Sequence, residues 1–338
     1  MTKPHLAFFD VHELDQSAYR AGLADEFELT MSEAGLTAAE ASGAEVISVH
    51  VTSQVTAEVM AALPKLKLIA CRTTGYDNVD LAYAAAHDIA VVTVPAYGQD
   101  TVAEYAFLLM MAVSRRLMLS AHSVRAQTVT PTKLTGHELA GKTLGIIGTG
   151  RIGRQAARIA RGFSMTVIAC DVYPNPAAAT ELGFTYAPLP EVLAAADYLT
   201  LHAPATPETH HLLGAQQFAQ MKPGVFIVNT ARGSLIDTPA LIAALNSGHV
   251  AGAGLDVLEG EELLSLPDEL TLLSAHELGD DARHVLGIDI LRQLPNVLIT
   301  SHNAYNSFEA LGRIRDVTIA NIHAWRQGKP QNVVEKHE

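Results

Sequence analysis

Arg232 follows an apolar run and a short polar turn, in the stretch VFIVNTARG that covers residues 225–233. An unpaired guanidinium beside a buried strand would cost a large amount of free energy, so Arg232 needs an anionic partner. That partner is either a carboxylate of the protein or the carboxylate of a substrate, which the planar guanidinium fork matches well. The stretch by itself leaves both interpretations open.

Further polar side chains follow strand-like runs in the same half of the chain. Asp256 and Glu261 lie in and after GAGLDV, and His302 follows NVLITS. Because ligands of open α/β sheets bind at the carboxyl ends of the strands, we expect these residues to converge with Arg232. A carboxylate beside an imidazole stabilises its protonated form, which suits general acid–base catalysis. Each residue alone also has a structural interpretation, since the chain has 15 histidines and EGEE is typical of a solvated loop.

A glycine-rich turn lies in TLGIIGTGRIGRQAARIARGF, where a strand-like run leads through Gly148, Gly150 and Gly153 into an alanine-rich helix. This order of elements is typical of a dinucleotide-binding loop, with the pyrophosphate at the helix N-terminus. The next strand-like run ends in Asp171, eighteen residues after Gly153. A carboxylate there accepts hydrogen bonds from ribose hydroxyls and repels a 2′-phosphate, which predicts NAD rather than NADP. The alternative for Asp171 is a cap at the end of a strand.

Short apolar runs alternate with alanine-rich stretches through most of the chain, a pattern typical of parallel sheets covered by helices. The runs are LAFFD, EVISVHV, LKLIACR and IAVVTV, then TLGIIG, MTVIACD, DYLTLHA, VFIVNT, VAGAGLDV and NVLITS. Between the two groups, DTVAEYAFLLMMAVSRRLMLSAHSV predicts one long helix capped by Asp100. A polar link over 127–142 follows, and the second domain is expected to begin at Thr143. A last amphipathic helix, around Phe308 to Arg326, is expected to return to the first domain.

The composition narrows the class of partner. The formal net charge is −13 and the basic residues are scattered, which argues against nucleic acid or an anionic membrane and favours a small molecule. The N-terminal residues lack the pattern of a signal peptide, so a soluble, cytoplasmic protein is expected. Cys71 and Cys170 show no metal-ligand spacing, and we predict reduced thiols and no metal site. The apolar helix over 100–120 predicts a homodimer interface.

The sequence resembles the NAD-dependent D-2-hydroxyacid dehydrogenases over nearly its whole length. The motifs that carry the resemblance are GTGRIG, LHAPATPET, MKPGVFIVNTARGSLID, AGAGLDVLEGE and NVLITSHNAY, in that order. It implies an α/β fold in which a Rossmann doubly wound parallel-sheet domain, 101–302, is inserted into a smaller flavodoxin-like substrate domain, 1–100 plus 303–338. The implied reaction is hydride transfer between NAD and a D-2-hydroxyacid.

The resemblance also implies roles for single residues. Arg232 binds the substrate carboxylate and polarises the C2 carbonyl, His302 is the acid–base, and Glu261 is its carboxylate partner. The loop TTGYDN and two tyrosines imply substrate contacts by Thr74, Gly75, Tyr76, Tyr97 and Tyr305. Besides the three glycines and Asp171, the implied cofactor-binding residues are Val102, Arg151, Ile152, His202, Ala203, Pro204, Thr209, Thr230, Ala231 and Asp256.

The spacing between Glu261 and His302 narrows the branch of the family. Forty residues separate them, about twice the number in glycerate-type relatives, which resembles the D-lactate and D-hydroxyisocaproate branch. Ser301 replaces the usual proline, and Tyr305 stands where a phenylalanine often closes the substrate pocket. A glycerate or hydroxypyruvate reductase stays open as an alternative within the enzyme class. A non-catalytic NAD sensor, similar to the carboxyl-terminal-binding corepressors, is the alternative from another class.

Overall fold

The computed structural model describes residues 3–128, 131–261 and 279–334. The chain divides into two compact units, one made of Met1–Tyr97 with Ser307–Glu338 and the other of Gly98–Asn306. Seventeen of the forty residues between Glu261 and His302, numbers 262–278, lie outside the described residues. The prediction made from the length of this insert therefore rests on the sequence alone. No helix of the described chain is long and apolar enough to cross a membrane.

The first unit contains a parallel five-stranded sheet in the order β2-β1-β3-β4-β5. Its strands are β1 (His5–Phe8), β2 (Glu28–Met31), β3 (Val46–Val49), β4 (Leu68–Cys71) and β5 (Ala90–Val92). Its helices are α1 (Glu13–Leu23), α2 (Ala57–Ala61), α3 (Leu81–Ala86) and, from the C-terminal part of the chain, α12 (Phe308–Arg326). The Asn321 amide of α12 donates to the Thr93 carbonyl at 2.9 Å, so the last helix is tied to the end of β5.

The second unit contains a parallel seven-stranded sheet in the order β12-β11-β10-β9-β6-β7-β8. Its strands are β6 (Thr143–Ile147), β7 (Thr166–Cys170), β8 (Thr185–Tyr186), β9 (Tyr198–Leu201), β10 (Val225–Asn229), β11 (Val250–Leu255) and β12 (Val297–Ile299). Its helices are α4 (Gln99–Ser114), α5 (Leu117–Arg125), α6 (Arg151–Gly162), α7 (Pro176–Leu182), α8 (Leu189–Ala195), α9 (Ala215–Gln220), α10 (Thr238–Asn246) and α11 (Gly279–Gln293). Strand order reverses between β6 and β9, which creates the crevice where ligands of such sheets bind.

Three details differ from the sequence predictions. The long helix predicted from Asp100 is two helices, α4 and α5, because the chain turns at Arg116, whose φ is +52°. The N-cap is Gly98, and Asp100 lies inside the first turn, where its charge suits the helix dipole. The sequence analysis also missed β2 and β8, which are both edge strands with partly exposed residues.

Both cysteines are free, as predicted. Burial raises the pKa of the Cys71 thiol to about 12. Burial, together with the Asp171 charge, raises the pKa of Cys170 to about 11. Both side chains are therefore protonated and unreactive near neutral pH.

Candidate active site

The glycine-rich turn joins β6 to α6 through two positions that accept no side chain. Gly148 has a φ of +89°, and a Cβ there would lie 2.7 Å from the carbonyl carbon of His202. A Cβ on Gly153 would overlap the carbonyl oxygen of Gly148. These two glycines let the first turn of α6 pack directly against the end of β6.

Gly150 differs from the other two glycines of the motif. It is the N-cap of α6, and apart from its immediate chain neighbours no atom of the described residues is found within 4 Å of the position that its Cβ would occupy. The first backbone N–H groups of α6 lack intrahelical acceptors and face an open cradle. Such a helix N-terminus favours an anion, and the missing side chain leaves room for a phosphate to approach the backbone. The cradle therefore fits the pyrophosphate of a dinucleotide.

Asp171 lies at the end of β7 beside this cradle. Its Oδ2 accepts hydrogen bonds from the backbone N–H of Thr149 at 2.5 Å and from the Thr149 hydroxyl at 2.8 Å, and its Oδ1 accepts from the backbone N–H of Tyr173 at 2.8 Å. Partial burial raises its pKa, but these hydrogen bonds outweigh that effect and lower the pKa below the ordinary value. Asp171 is thus a charged carboxylate that caps the turn, as the structural interpretation has it, and its ribose contact stays a prediction.

Other residues predicted to bind the cofactor occupy the same unit. Burial lowers the pKa of His202 to about 4, so its ring is neutral at physiological pH. The Thr209 hydroxyl donates to the Pro204 carbonyl at 2.7 Å and so shapes the loop after β9. The Thr230 hydroxyl, just past β10, is buried and has no hydrogen-bond partner among the described residues. A buried hydroxyl of this kind needs a partner, and a bound ligand is one that would supply it.

The other residues predicted to bind the cofactor lie in α4, in the first turn of α6 and in the loop after β9. Val102 is buried in α4, and Arg151 and Ile152 belong to the first turn of α6. Ile152 packs against the core beneath the helix, whereas Arg151 is exposed. Ala203 is partly buried against the core on the other face of the sheet.

Asn229 fixes the loop that carries Arg232. Its side-chain amide donates to the Arg232 carbonyl at 2.8 Å, and its Oδ1 accepts from the backbone N–H of Ala231 at 3.0 Å. The Arg232 Nη1 donates to the Ala231 carbonyl at 2.8 Å. A Cβ on the next residue, Gly233, would overlap the backbone of Leu258 and Glu259. The Arg232 loop therefore packs directly on the turn that leads to Glu261.

Glu261 and His302 form a hydrogen-bonded pair. The Glu261 Oε1 lies 2.7 Å from the His302 Nδ1, and its Oε2 accepts from the backbone N–H of Leu258 at 3.0 Å. The two side chains are 33% and 29% exposed, so the pair is reachable by a ligand. The hydrogen bond to Glu261 uses Nδ1, which leaves the second ring nitrogen of His302, Nε2, for a ligand. A carboxylate on one ring nitrogen and an accessible second nitrogen is the arrangement of a general acid–base.

Asp256 holds the loop that presents His302. Its buried carboxylate accepts from the Thr300 hydroxyl at 2.5 Å and from the backbone N–H groups of Asn303 at 2.9 Å and Ala304 at 2.8 Å. Its carbonyl accepts from the His302 N–H at 2.8 Å. His302 has a φ of +50°, a conformation that costs about 1–3 kcal/mol for a residue with a side chain. The described contacts of the Asp256 carboxylate give it a positioning role, and its cofactor contact stays a prediction.

The substrate residues predicted in the first unit lie on one loop after β4 and at the end of that unit's first segment. The Thr74 hydroxyl donates to the Val94 carbonyl at 2.8 Å, and Tyr76 packs against the core beneath the loop. The Tyr97 carbonyl accepts from Arg313 Nε at 2.7 Å. The Gly75 carbonyl accepts a hydrogen bond from the Thr73 hydroxyl at 2.5 Å.

The sequence analysis missed the polar side chains that support the loop after β4. Arg72 is 3% exposed, and its guanidinium donates to the carbonyls of Phe9 at 2.5 Å, Asp10 at 2.8 Å and Ser48 at 3.1 Å. The Asp10 carboxylate accepts from the hydroxyls of Thr52 and Ser53. The signal was present, because both LAFFD and LKLIACR end in a charged residue directly after an apolar run.

Comparison with known proteins agrees with this geometry. The family model of the D-isomer specific 2-hydroxyacid dehydrogenase NAD-binding domain matches residues 107–304. A 2-hydroxyacid dehydrogenase homolog of Haemophilus influenzae is 39% identical over 95% of this chain and 94% of its own. The D-lactate dehydrogenase of Escherichia coli is 40% identical over 87% of both chains. The structure of the Aquifex aeolicus D-lactate dehydrogenase, complexed with NAD and lactic acid, matches with a TM-score of 0.85 and 35% identity over 96% of both chains.

The chain therefore belongs to the D-isomer-specific 2-hydroxyacid dehydrogenases, a family of NAD-dependent oxidoreductases. This confirms the resemblance, the α/β fold class, the enzyme class and NAD as the cofactor. Neither alternative, the glycerate-type reductase or the NAD sensor, is favoured by these relatives.

Proposed function

We propose that this enzyme reduces pyruvate to D-lactate with NADH, and catalyses the reverse reaction with NAD. The observation that carries the proposal is the Glu261–His302 pair at 2.7 Å on a turn against which the Arg232 loop packs. The D-lactate dehydrogenases among its relatives support the choice of substrate.

The residues of the second unit fit NAD. The open cradle at Gly150 would hold the pyrophosphate and Asp171 the adenosine ribose. The Thr230 hydroxyl, which finds no partner within the described part of the chain, would gain one. When bound, the reduced nicotinamide supplies the hydride for C2 of the substrate. His202, which is predicted to contact the cofactor, would be neutral and would add no charge to the site.

Three side chains of the protein would serve the substrate. Arg232 would bind its carboxylate with the guanidinium fork and polarise the C2 carbonyl. His302 would donate a proton from Nε2 to the developing alkoxide, a contribution of roughly 10²–10⁴-fold. Glu261 would hold the ring through Nδ1 and stabilise the imidazolium before the proton leaves.

Five further residues are proposed to contact the substrate. The loop residues Thr74, Gly75 and Tyr76 would bind the carboxylate, and Tyr97 and Tyr305 would contact the side chain at C2. A phenol at Tyr305, in place of the phenylalanine common in relatives, would favour a polar substituent or bond to the protein backbone. A small-molecule 2-oxoacid is the substrate class in either case.

A panel of 2-oxoacids, from pyruvate to phenylpyruvate and including hydroxypyruvate and glyoxylate, tests the proposal by the rate of NADH oxidation. We expect the highest kcat/KM with pyruvate. A clear preference for hydroxypyruvate or glyoxylate would contradict the substrate, and no turnover with any 2-oxoacid would favour a sensor.

Cofactor preference tests the role of Asp171. We expect kcat/KM with NADH to exceed that with NADPH by about 100-fold, because the ionised carboxylate repels a 2′-phosphate at short range. Asp171→Asn keeps an acceptor for Thr149 but removes the charge, so the preference should fall. Similar efficiencies of the wild type with both cofactors would refute this role.

We also propose that the enzyme is a cytoplasmic homodimer. Leu108, Leu117, Met118 and Val124 of α4 and α5 are 49–65% exposed, and a cavity of about 310 Å³ lies beside them, lined in part by Phe226 and Val297. Exposed apolar surface of this kind marks interfaces, and a second copy would cover it. Sedimentation should give a 72 kDa species, twice the 36.0 kDa chain. Met118→Asp should shift it toward 36.0 kDa, and a wild type that is monomeric at micromolar concentration would contradict the proposal.

A further inference from the structure

A second cluster of histidine and carboxylate side chains lies on the turn that carries Glu261. The Glu259 Oε1 is 2.7 Å from the Nε2 of His211 and 3.7 Å from the Nε2 of His210. The other oxygen, Oε2, is 3.6 Å from the Nε2 of His284 in α11. The proposed reaction uses none of these four side chains.

The Glu259 carboxylate is buried without full hydrogen bonding. Its side chain is 9% exposed, and its Oε2 has no hydrogen-bond partner among the described residues. A buried carboxylate oxygen that has left water normally gains a donor or a cation in exchange. The Oε2 of Glu259 therefore points to a positively charged ligand.

The backbone brings two neighbouring histidines to the same carboxylate. In extended chain, successive side chains point to opposite sides. His211 instead has a φ of +50°, and the two imidazole rings lie 3.9 Å apart at 30° to each other. The conformation is held by a hydrogen bond from the His211 N–H to the Ser234 carbonyl at 2.8 Å. Left-handed backbone at a residue with a side chain costs about 1–3 kcal/mol, so the contacts around His211 must hold it in place.

We propose that His210, His211 and Glu259 form a binding site for a divalent transition-metal ion, with zinc as the best match. One ligand atom from each residue lies within 4.8 Å of the others. Zinc bonds of about 2.0–2.1 Å in tetrahedral geometry need donor atoms roughly 3.3 Å apart, so shifts of less than about 1 Å complete the site. Imidazole and carboxylate donors favour zinc, cobalt and nickel over magnesium or calcium, which prefer oxygen donors alone.

His284 gives the site a fourth candidate ligand, and water is the alternative at that position. Its Nε2 lies 3.6 Å from the Oε2 of Glu259, whereas the other two histidines lie nearest to Oε1. A bound ion would tie the loop after β9 and helix α11 to the turn of Glu261. The site is independent of the proposed reaction, and its test needs neither NAD nor a 2-oxoacid.

Cobalt titration of the full-length protein tests the site directly. The protein is first treated with a chelator and dialysed, then Co²⁺ is added while the visible absorption is recorded, and Zn²⁺ binding is measured by calorimetry. We expect one ion per chain, with a dissociation constant of about 10 µM or tighter, weaker than closed four-ligand sites because one position is left to water or His284. A hundredfold excess of Zn²⁺ over this constant should raise Tm by about 5 °C or more.

Three variants assign the ion to this cluster. His210 is 57% exposed, so His210→Ala should fold normally and weaken binding at least tenfold, because one of three ligands is lost. Glu259→Gln should weaken it further, since the buried charge is removed. His122→Ala removes an exposed histidine of α5 and is the matched control that should leave affinity unchanged.

Two results would overturn the proposal. One is the absence of saturable binding to the wild type at 100 µM Co²⁺ or Zn²⁺ (about tenfold above the expected constant). The other is binding that His210→Ala and Glu259→Gln leave as strong as in the wild type and the His122→Ala control. Circular dichroism of each variant shows whether a loss of affinity accompanies an intact fold.

Discussion

Glu259 and Glu261 stand two residues apart on one turn, and each has an imidazole nitrogen at 2.7 Å. Their surroundings differ. Glu261 is 33% exposed and both of its oxygens are hydrogen-bonded, one to His302 and one to the backbone of Leu258. Glu259 is 9% exposed and lies beside histidines of the loop after β9 and of α11, and one of its oxygens has no hydrogen bond to any described residue.

The difference shows that a histidine–carboxylate pair does not define a function by itself. In the Glu261 pair both carboxylate oxygens are hydrogen-bonded and the imidazole is accessible, which suits proton transfer to a substrate. In the Glu259 pair one carboxylate oxygen lacks a hydrogen-bond donor among the described residues and several imidazoles lie nearby, which suits a cation. Neighbouring groups decide the role: the Arg232 loop packs on this turn, and Asp256 presents His302 to Glu261.

Replacing Arg232 should give the largest loss. Arg232→Ala should lower kcat/KM for pyruvate by about 10³-fold or more, because the guanidinium serves both the ground-state carboxylate and the carbonyl where charge develops. Both KM and kcat should change. Arg232→Lys should recover only part of the lost kcat/KM, since an ammonium cannot form the bidentate fork. Steady-state kinetics measures this, and an effect confined to KM would show that Arg232 does not act on the carbonyl.

Replacing His302 and replacing His211 should lower kcat by different amounts, because only His302 is proposed to contact the reacting atoms. His302→Ala should lower kcat by about 10²–10⁴-fold, because the proton donor is lost. His211→Ala, which breaks the equivalent 2.7 Å pair, should cost less than about tenfold, because His211 acts only through the turn. NADH affinity, measured by fluorescence, should stay near the wild-type value in His302→Ala. Equal losses of kcat in the two variants would contradict the distinction between the pairs.

Asp256→Asn should have a smaller effect on rate and a measurable one on stability. An amide cannot accept all three hydrogen bonds from Thr300, Asn303 and Ala304, so one buried donor is left unpaired. We expect the free energy of unfolding of this unit to fall by about 1–3 kcal/mol. kcat should fall by about tenfold, as His302 loses its fixed position. Unchanged denaturant unfolding and unchanged kcat together would show that the loop does not depend on Asp256.

Much of the fold could be predicted from the sequence. The apolar runs and the glycine spacing predict a parallel α/β fold, and the start of β6 at Thr143 and the helix Phe308–Arg326 are found as predicted. The missed strands, β2 and β8, lie at sheet edges, where half-exposed residues give no continuous apolar run. The break between α4 and α5 was also missed, because Arg116 takes a left-handed conformation that neither its type nor its neighbours indicate.

The site was predictable only in part, for a physical reason. Arg232, Glu261 and His302 each end or follow a strand of the same sheet, so sequence and topology together imply that they converge. The cluster at Glu259 depends on the left-handed backbone of His211 and on α11, which brings His284 from a distant part of the chain. No spacing rule for metal ligands covers that arrangement, which is why the sequence analysis predicted no metal site. Asp256 was predicted to bind the cofactor, and its positioning hydrogen bonds became evident only in three dimensions.

The pH dependence of kcat for pyruvate reduction, in Glu261→Gln and Glu259→Gln with chelator present, tests the central claim most directly. An amide at position 261 still orients the ring but no longer stabilises the imidazolium, so the high-pH limit of activity should move to lower pH. The limit of Glu259→Gln should stay at the wild-type value, because the Glu259 carboxylate lies beside His210, His211 and His284, whereas His302 pairs with Glu261. If the limit of a folded Glu261→Gln variant stays in place, or both variants move alike, Glu261 is not the partner of a catalytic His302.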